Sequence, residues 1–168
     1  MACSQTLNGI AVDCLPSMGG IKMVYIANYS DVASTTVSGD VISTISMAGS
    51  AKFKEYYFRR NTASMTSTLN VDAANGSTVS TDLVLSFLRQ ETTKRVEIAA
   101  LSIGELVVVV EDMNGKFWYL GKDMPVMASA GGAESGTAYT DGNRYTITLQ
   151  DNSFSYPYEV TADMGSLV

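Results

Sequence analysis

The sequence predicts a mainly β, mostly antiparallel domain with one α-helix and a long β-hairpin arm. Three observations predict it. Runs rich in Val, Ile, Thr and Tyr alternate apolar and polar residues, as half-buried strands do. Two Asn-Gly pairs, Asn75-Gly76 and Asn114-Gly115, sit between such runs where tight hairpins need them. One stretch, Thr92–Ile103, repeats its apolar residues at helical spacing instead. With 168 residues, 46% of them apolar and 17% charged, the chain suits a single core.

Residues 1–20 read as a leader. MACSQTLNGIAVDC has no basic start and only a weak apolar stretch before Asp13, so no cleavable secretory signal is expected. The only cysteines, Cys3 and Cys14, are not in CxxC spacing, and reduced thiols and a local disulfide both fit them. Pro16, Gly19 and Gly20 end the leader. Residues 22–29 (KMVYIANY) form the first strand, with Met23, Tyr25 and Ala27 on one face and Val24 and Ile26 on the other. Two more strands are expected over 41–45 and 52–59, on either side of Gly49-Ser50.

Residues 61–90 read as the arm. Alternating runs over 63–71 and 77–89 flank the Asn75-Gly76 turn; Val79, Leu83, Leu85 and Phe87 share a parity, and the distal half is rich in Ser and Thr. A two-stranded ribbon is marginal in water, so such an arm is mobile or adds its edges to a neighbour. The helix over Thr92–Ile103 presents Val96, Ala99, Ala100 and Ile103, and Gly104 stands at its C′ position. Residues 105–111 (ELVVVVE) are apolar on both sides, which predicts a central strand covered on both faces. Asn114-Gly115 then turns into a strand over 116–120, where Trp118 reads as a packing anchor.

The small-residue stretch 128–138 reads as a loop of low intrinsic order. Residues 142–150 (GNRYTITLQ) form a clean strand, 154–160 an edge strand because Pro157 interrupts it, and 161–168 a frayed tail.

The residues present exclude most classes of chemistry. Without histidine, no Cys–His metal site or nucleophile can form. Gly19-Gly20 and Gly131-Gly132 lack the Lys-Ser/Thr of a phosphate-binding loop, and no GxSxG elbow occurs. Glu111, Asp112 and Asp141 flank turns, which is ordinary turn chemistry rather than a paired-carboxylate site, and Asp141-Gly142-Asn143 does not continue as a calcium loop. No enzyme activity, cofactor or metal is expected. The strongest apolar run, 106–110, stops at Glu111, so no membrane insertion is expected. A net charge of −6 argues against tight duplex binding; Arg59-Arg60 and Lys94-Arg95 read as solvated pairs. Acidity does suit a wall past which DNA slides.

In layout and in the segments SMGGIKMVYIANYSDV, VVEDMNGKFWYLG and DGNRYTITL, the chain resembles bacteriophage tail tube proteins over about residues 18–160. The resemblance implies an antiparallel β-sandwich or barrel-like core with a flanking helix, in a virion structural subunit, assembled in the host cytoplasm, whose rings of six stack around a channel for the genome. Its partners would be itself, other tail proteins and DNA in transit. Candidate inter-subunit contacts are Ser64, Thr66, Thr68, Asn75, Gly76, Thr78 and Ser80 on the arm, Gly131 and Gly132 in the small-residue stretch, and Tyr156 and Tyr158 at the closing edge. The alternatives are a head–tail connector or terminator ring, and a carbohydrate- or protein-binding sandwich using Tyr56, Tyr57, Trp118 and Tyr119.

Overall fold

The computed structural model describes residues 7–12, 14–72 and 76–168. Its elements are β1 (Ile21–Asn28), β2 (Val32–Ser38), β3 (Val41–Met47), β4 (Lys54–Tyr56), β5 (Ala63–Asp72), β6 (Gly76–Leu88), α1 (Thr92–Ile103), β7 (Leu106–Asp112), β8 (Phe117–Leu120), β9 (Met127–Glu134), β10 (Arg144–Ser153) and β11 (Tyr158–Val160). They form a seven-stranded sheet ordered β2-β3-β11-β8-β7-β1-β4 and a four-stranded sheet ordered β5-β6-β10-β9. All pairs are antiparallel except β11 with β3. Neither sheet closes, so the architecture is sandwich-like rather than a barrel. Among the described residues no helix is long and apolar enough to cross a membrane.

β7 organises the core. It lies between β1 and β8, and its two parities serve two clusters. Leu106, Val108 and Val110 join Val24, Ile26 and Leu120 of the large sheet to Leu83, Leu85, Ile147 and Leu149 of the small one. Val107 and Val109 face Tyr25, Ile42, Phe53 and Tyr119 on the far side. Each fully buried aliphatic side chain contributes roughly 1.5–3 kcal/mol. The face division predicted for the first strand holds, with Val24 and Ile26 in the first cluster and Tyr25 and Ala27 in the second.

The β7–β8 turn forms as its Asn-Gly signal predicts. Gly115 has φ of +78°, and Asp112 Oδ1 accepts from the backbone N–H groups of Asn114 (2.8 Å) and Lys116 (2.9 Å). Trp118 Nε1 donates to Asp112 Oδ2 at 3.0 Å, which fixes the indole as a packing anchor.

Several expectations are corrected. β2 lacked an apolar face strong enough to be read as a strand, yet it pairs with β3 across Gly39-Asp40, both at positive φ as a type I′ hairpin requires. The strand expected over 52–59 contracts to Lys54–Tyr56, with Phe53 drawn into the second cluster and Tyr57 left exposed.

α1 keeps its predicted bounds but turns another face inward. Leu101 is buried and Ile98 packs on the first cluster, whereas Val96 and Ile103 are exposed. Gly104 ends the helix at φ −79°, outside the left-handed region. Space there is tight, since a Cβ would lie 3.0 Å from Leu106 Cδ2 and 3.3 Å from the Ala100 carbonyl.

The stretch 128–138 is no loose loop at its start: β9 pairs with β10 from Met127 to Glu134, because the backbone of a regular strand supplies partners whatever the side chains. β11 is internal rather than an edge, held between β8 and β3; Pro157 precedes it and removes no ladder bond. The tail is docked rather than frayed. Met164 is buried, and Phe53 N donates to the Leu167 carbonyl at 2.9 Å.

Candidate subunit-contact face on the small sheet

The predicted arm is real as a hairpin, but it does not stand free. β6 is an inner strand, paired with β5 on one side and, from Val79 to Leu88, with β10 on the other. Among the described residues, the pairs Asn70–Thr78, Val71–Ser77 and Asp72–Gly76 extend past β10. Burial therefore reaches further along β6 than a projecting ribbon allows, with Val79, Thr81, Leu83 and Leu85 all buried.

Register sorts the two faces of the small sheet. The inner parity carries Leu83, Leu85, Ile147 and Leu149 into the first cluster. The outer parity aligns Ser64 with Val84, Thr66 with Asp82, and Thr68 with Ser80 across β5 and β6. Across β10 and β9 it aligns Thr146 with Gly132 and Thr148 with Ala130. Cross-strand polar pairs lace this face: Gln150 Nε2 donates to Asp82 Oδ1 at 2.8 Å, and the Ser86 and Thr146 hydroxyls lie 3.0 Å apart. Arg144, the one cation among the described residues of this face, is ion-paired with Glu134.

The candidate contact residues thus separate. Ser64, Thr66 and Thr68 are exposed on edge strand β5, and Gly131 and Gly132 are exposed on the opposite edge, β9. Gly76 and Thr78 are exposed beside the hairpin tip, Ser80 is half-buried, and Asn75 lies outside the described residues. Tyr156 is exposed just before β11. Tyr158 is not an edge residue: it packs on the second cluster with Lys122 Nζ 4.9 Å from its ring centre.

The relation between the β5 and β9 edges is what sequence reasoning missed. The strand ladder β5-β6-β10-β9 alternates in direction, so its two free edges run opposite ways. A copy rotated about an axis along the strands presents its β5 antiparallel to this β9, and repetition continues the sheet with one face always on the same side.

The other candidates dissolve or stay apart. Tyr119 is buried, Tyr56 packs on Phe87 and donates to Glu97, Trp118 is half-buried, and only Tyr57 is freely exposed, so the four form no binding platform. Cys14 is exposed and free, and Cys3 lies outside the described residues. Among the described residues no group of three or more His, Cys, Asp or Glu side chains could hold a metal ion. No family model, no curated protein and no solved structure matches the chain.

Proposed function

We propose that the chain is a noncatalytic, tail-tube-like virion subunit, and that its small sheet joins edge to edge with other copies to wall a channel. One observation carries the reading: among the described residues no strand pairs with the outer edge of β5 or of β9, the two edges run in opposite directions, and the sheet has a buried inner face and a hydroxyl-rich outer face. A heterologous contact between such edges closes into a ring when the rotation allows. The outer face then lines the opening, with Ser, Thr, Asn and Gln side chains, the Asp82 carboxylate and an arginine paired with Glu134, a surface that offers phosphates little to hold. The net charge of −6 agrees with DNA as a passenger rather than a ligand.

Electron microscopy of the purified chain across a concentration series, with light scattering for mass, tests the reading. Hollow rings that stack into tubes are expected. Finite rings that never stack would point to a head–tail connector, and a persistent monomer would contradict the proposal.

A further inference from the structure

The small side chains of β9 leave a space against the helix. Where β10 places Tyr145, Ile147 and Leu149 on the inner face, the register gives β9 only Ala133, Gly131 and Ala128. α1 packs on both strands, so β9 fills little of the gap beneath it. The result is an open groove of about 530 Å³. Arg95, Ala99 and Ser102 of α1 stand on one side, residues 128–133 of β9 on the other, and Tyr145 and Ile147 at its back. That volume lies within the range of roughly 300–1,000 Å³ common to ligand clefts.

Three features specify what fits. β9 is the last strand of its sheet, and among the described residues no strand pairs with its outer edge. Its outward N–H and C=O groups therefore offer a ladder that another extended backbone completes. The groove follows this edge over residues 128–133, which matches a segment about six residues and about 20 Å long. Alternate side chains of such a segment point under α1, where the exposed Ala99 and the half-buried Tyr145 leave space for small apolar groups. One end of the groove carries a charge. Leu106 bridges to Val126, which puts the C-terminal end of α1 beside Ala128 and Arg95, about two turns earlier, toward Ala133. Arg95 is exposed, and its side chain has no ion pair among the described residues; the nearby carboxylates Glu91 and Glu134 are held by Arg89, Lys94 and Arg144. A free guanidinium takes a carboxylate in two parallel hydrogen bonds.

We infer that the groove between α1 and β9 binds an extended peptide segment, added antiparallel to the β9 edge, with small apolar side chains at alternate positions and an acidic residue against Arg95. Antiparallel addition runs the peptide from Ala133 toward Ala128, so the acidic residue stands at its N-terminal end. The site is complete in one copy and does not depend on the tube reading.

Fluorescence anisotropy of the full chain tests it, with an end-blocked, fluorescein-labelled heptapeptide of aspartate followed by alternating threonine and valine. Saturable binding is expected. Ala99→Trp fills the groove from an exposed helix position and should weaken binding at least about ten-fold, whereas Ala100→Trp, on the side of α1 that faces Lys54 and Tyr56, should leave it within about two-fold. Arg95→Glu should weaken the aspartate peptide about ten-fold and prefer a peptide with lysine in its place. No saturation, unaltered affinity in Ala99→Trp, or the same preference between the two peptides in Arg95→Glu as in the unaltered chain would each overturn the inference. Displacement of the peptide by dodecanoate at equal concentration would make the groove an amphiphile site and also overturn it. A chain that binds the peptide yet stays monomeric in its absence would remove the tube reading and leave this site standing.

Discussion

The two sheets share one hydrophobic cluster and differ in what lies on their other side. The large sheet is buried on both faces at its centre, where β7 sends alternate valines into two cores, while its outer strands β2 and β4 are largely exposed. The small sheet buries one face only and leaves a hydroxyl-rich surface and two open edges. In the proposed assembly, the difference separates the work of holding the fold from the work of meeting other copies. Nature blunts exposed edges in monomers with charge, proline or bulges. Here each edge carries one charged side chain, at its end, Asp72 on β5 and Glu134 on β9, the latter ion-paired with Arg144, and residues 63–71 and 127–133 carry none.

Stability measurements should separate the two sheets. Leu120→Ala, in the cluster they share, should lose about 2–5 kcal/mol in urea unfolding, because the cavity it leaves is walled by β-strands that cannot collapse. A loss below about 1 kcal/mol would mean that the shared core is not where the fold is held.

Asp151 gives the next largest effect and marks where the inner face of the small sheet turns polar. The carboxyl is 3% exposed and pushed up to about 6, chiefly by burial, with Asp123 adding to the rise and the Gly121 N–H at 3.2 Å opposing it. The folded value lies above the unfolded one, so the folded chain binds this proton more tightly. Ionisation therefore costs stability as pH rises from about 4 through 6, by on the order of 3 kcal/mol at most. Asp151→Asn should raise stability at pH 7.5 by about 1–3 kcal/mol and change little at pH 4. An equal effect at both pH values, read by calorimetry, would show that the charge is not the cause.

Gly104→Ala should cost about 1–2 kcal/mol through crowding against Leu106 and the Ala100 carbonyl, although its φ suits alanine. The smallest effect belongs to the outer face. Thr148→Ala should shift stability by no more than about 0.5 kcal/mol, and a larger loss would assign that face a folding role.

The sequence made legible what depends on local pattern. The valines of β7 announce a strand covered twice, and Asn114-Gly115 announces its hairpin. The inner parity of β6 could be read from Val79, Leu83, Leu85 and Phe87. What stayed hidden depends on distant partners. β9 has almost no side chains to pattern, and its identity comes from hydrogen bonds to β10. α1 carries apolar residues on two sides, and only the position of the sheet selects Ile98 and Leu101 over Val96 and Ile103. The Ser and Thr residues of the candidate site were visible on β5, but that β5 and β9 bound one sheet is a matter of strand order, which no local pattern encodes.

In the proposed ring, the β5 edge of one copy meets the β9 edge of the next. The most direct test mixes a copy carrying Thr66→Lys and Thr68→Lys on β5 with one carrying Ala130→Lys and Gly132→Lys on β9. Light scattering should find each variant monomeric alone, since each retains one usable edge and no complement. Mixed, they should form one-to-one dimers and nothing larger. Full assembly by either variant alone, or monomers in the mixture while the unaltered chain assembles, would contradict the claim.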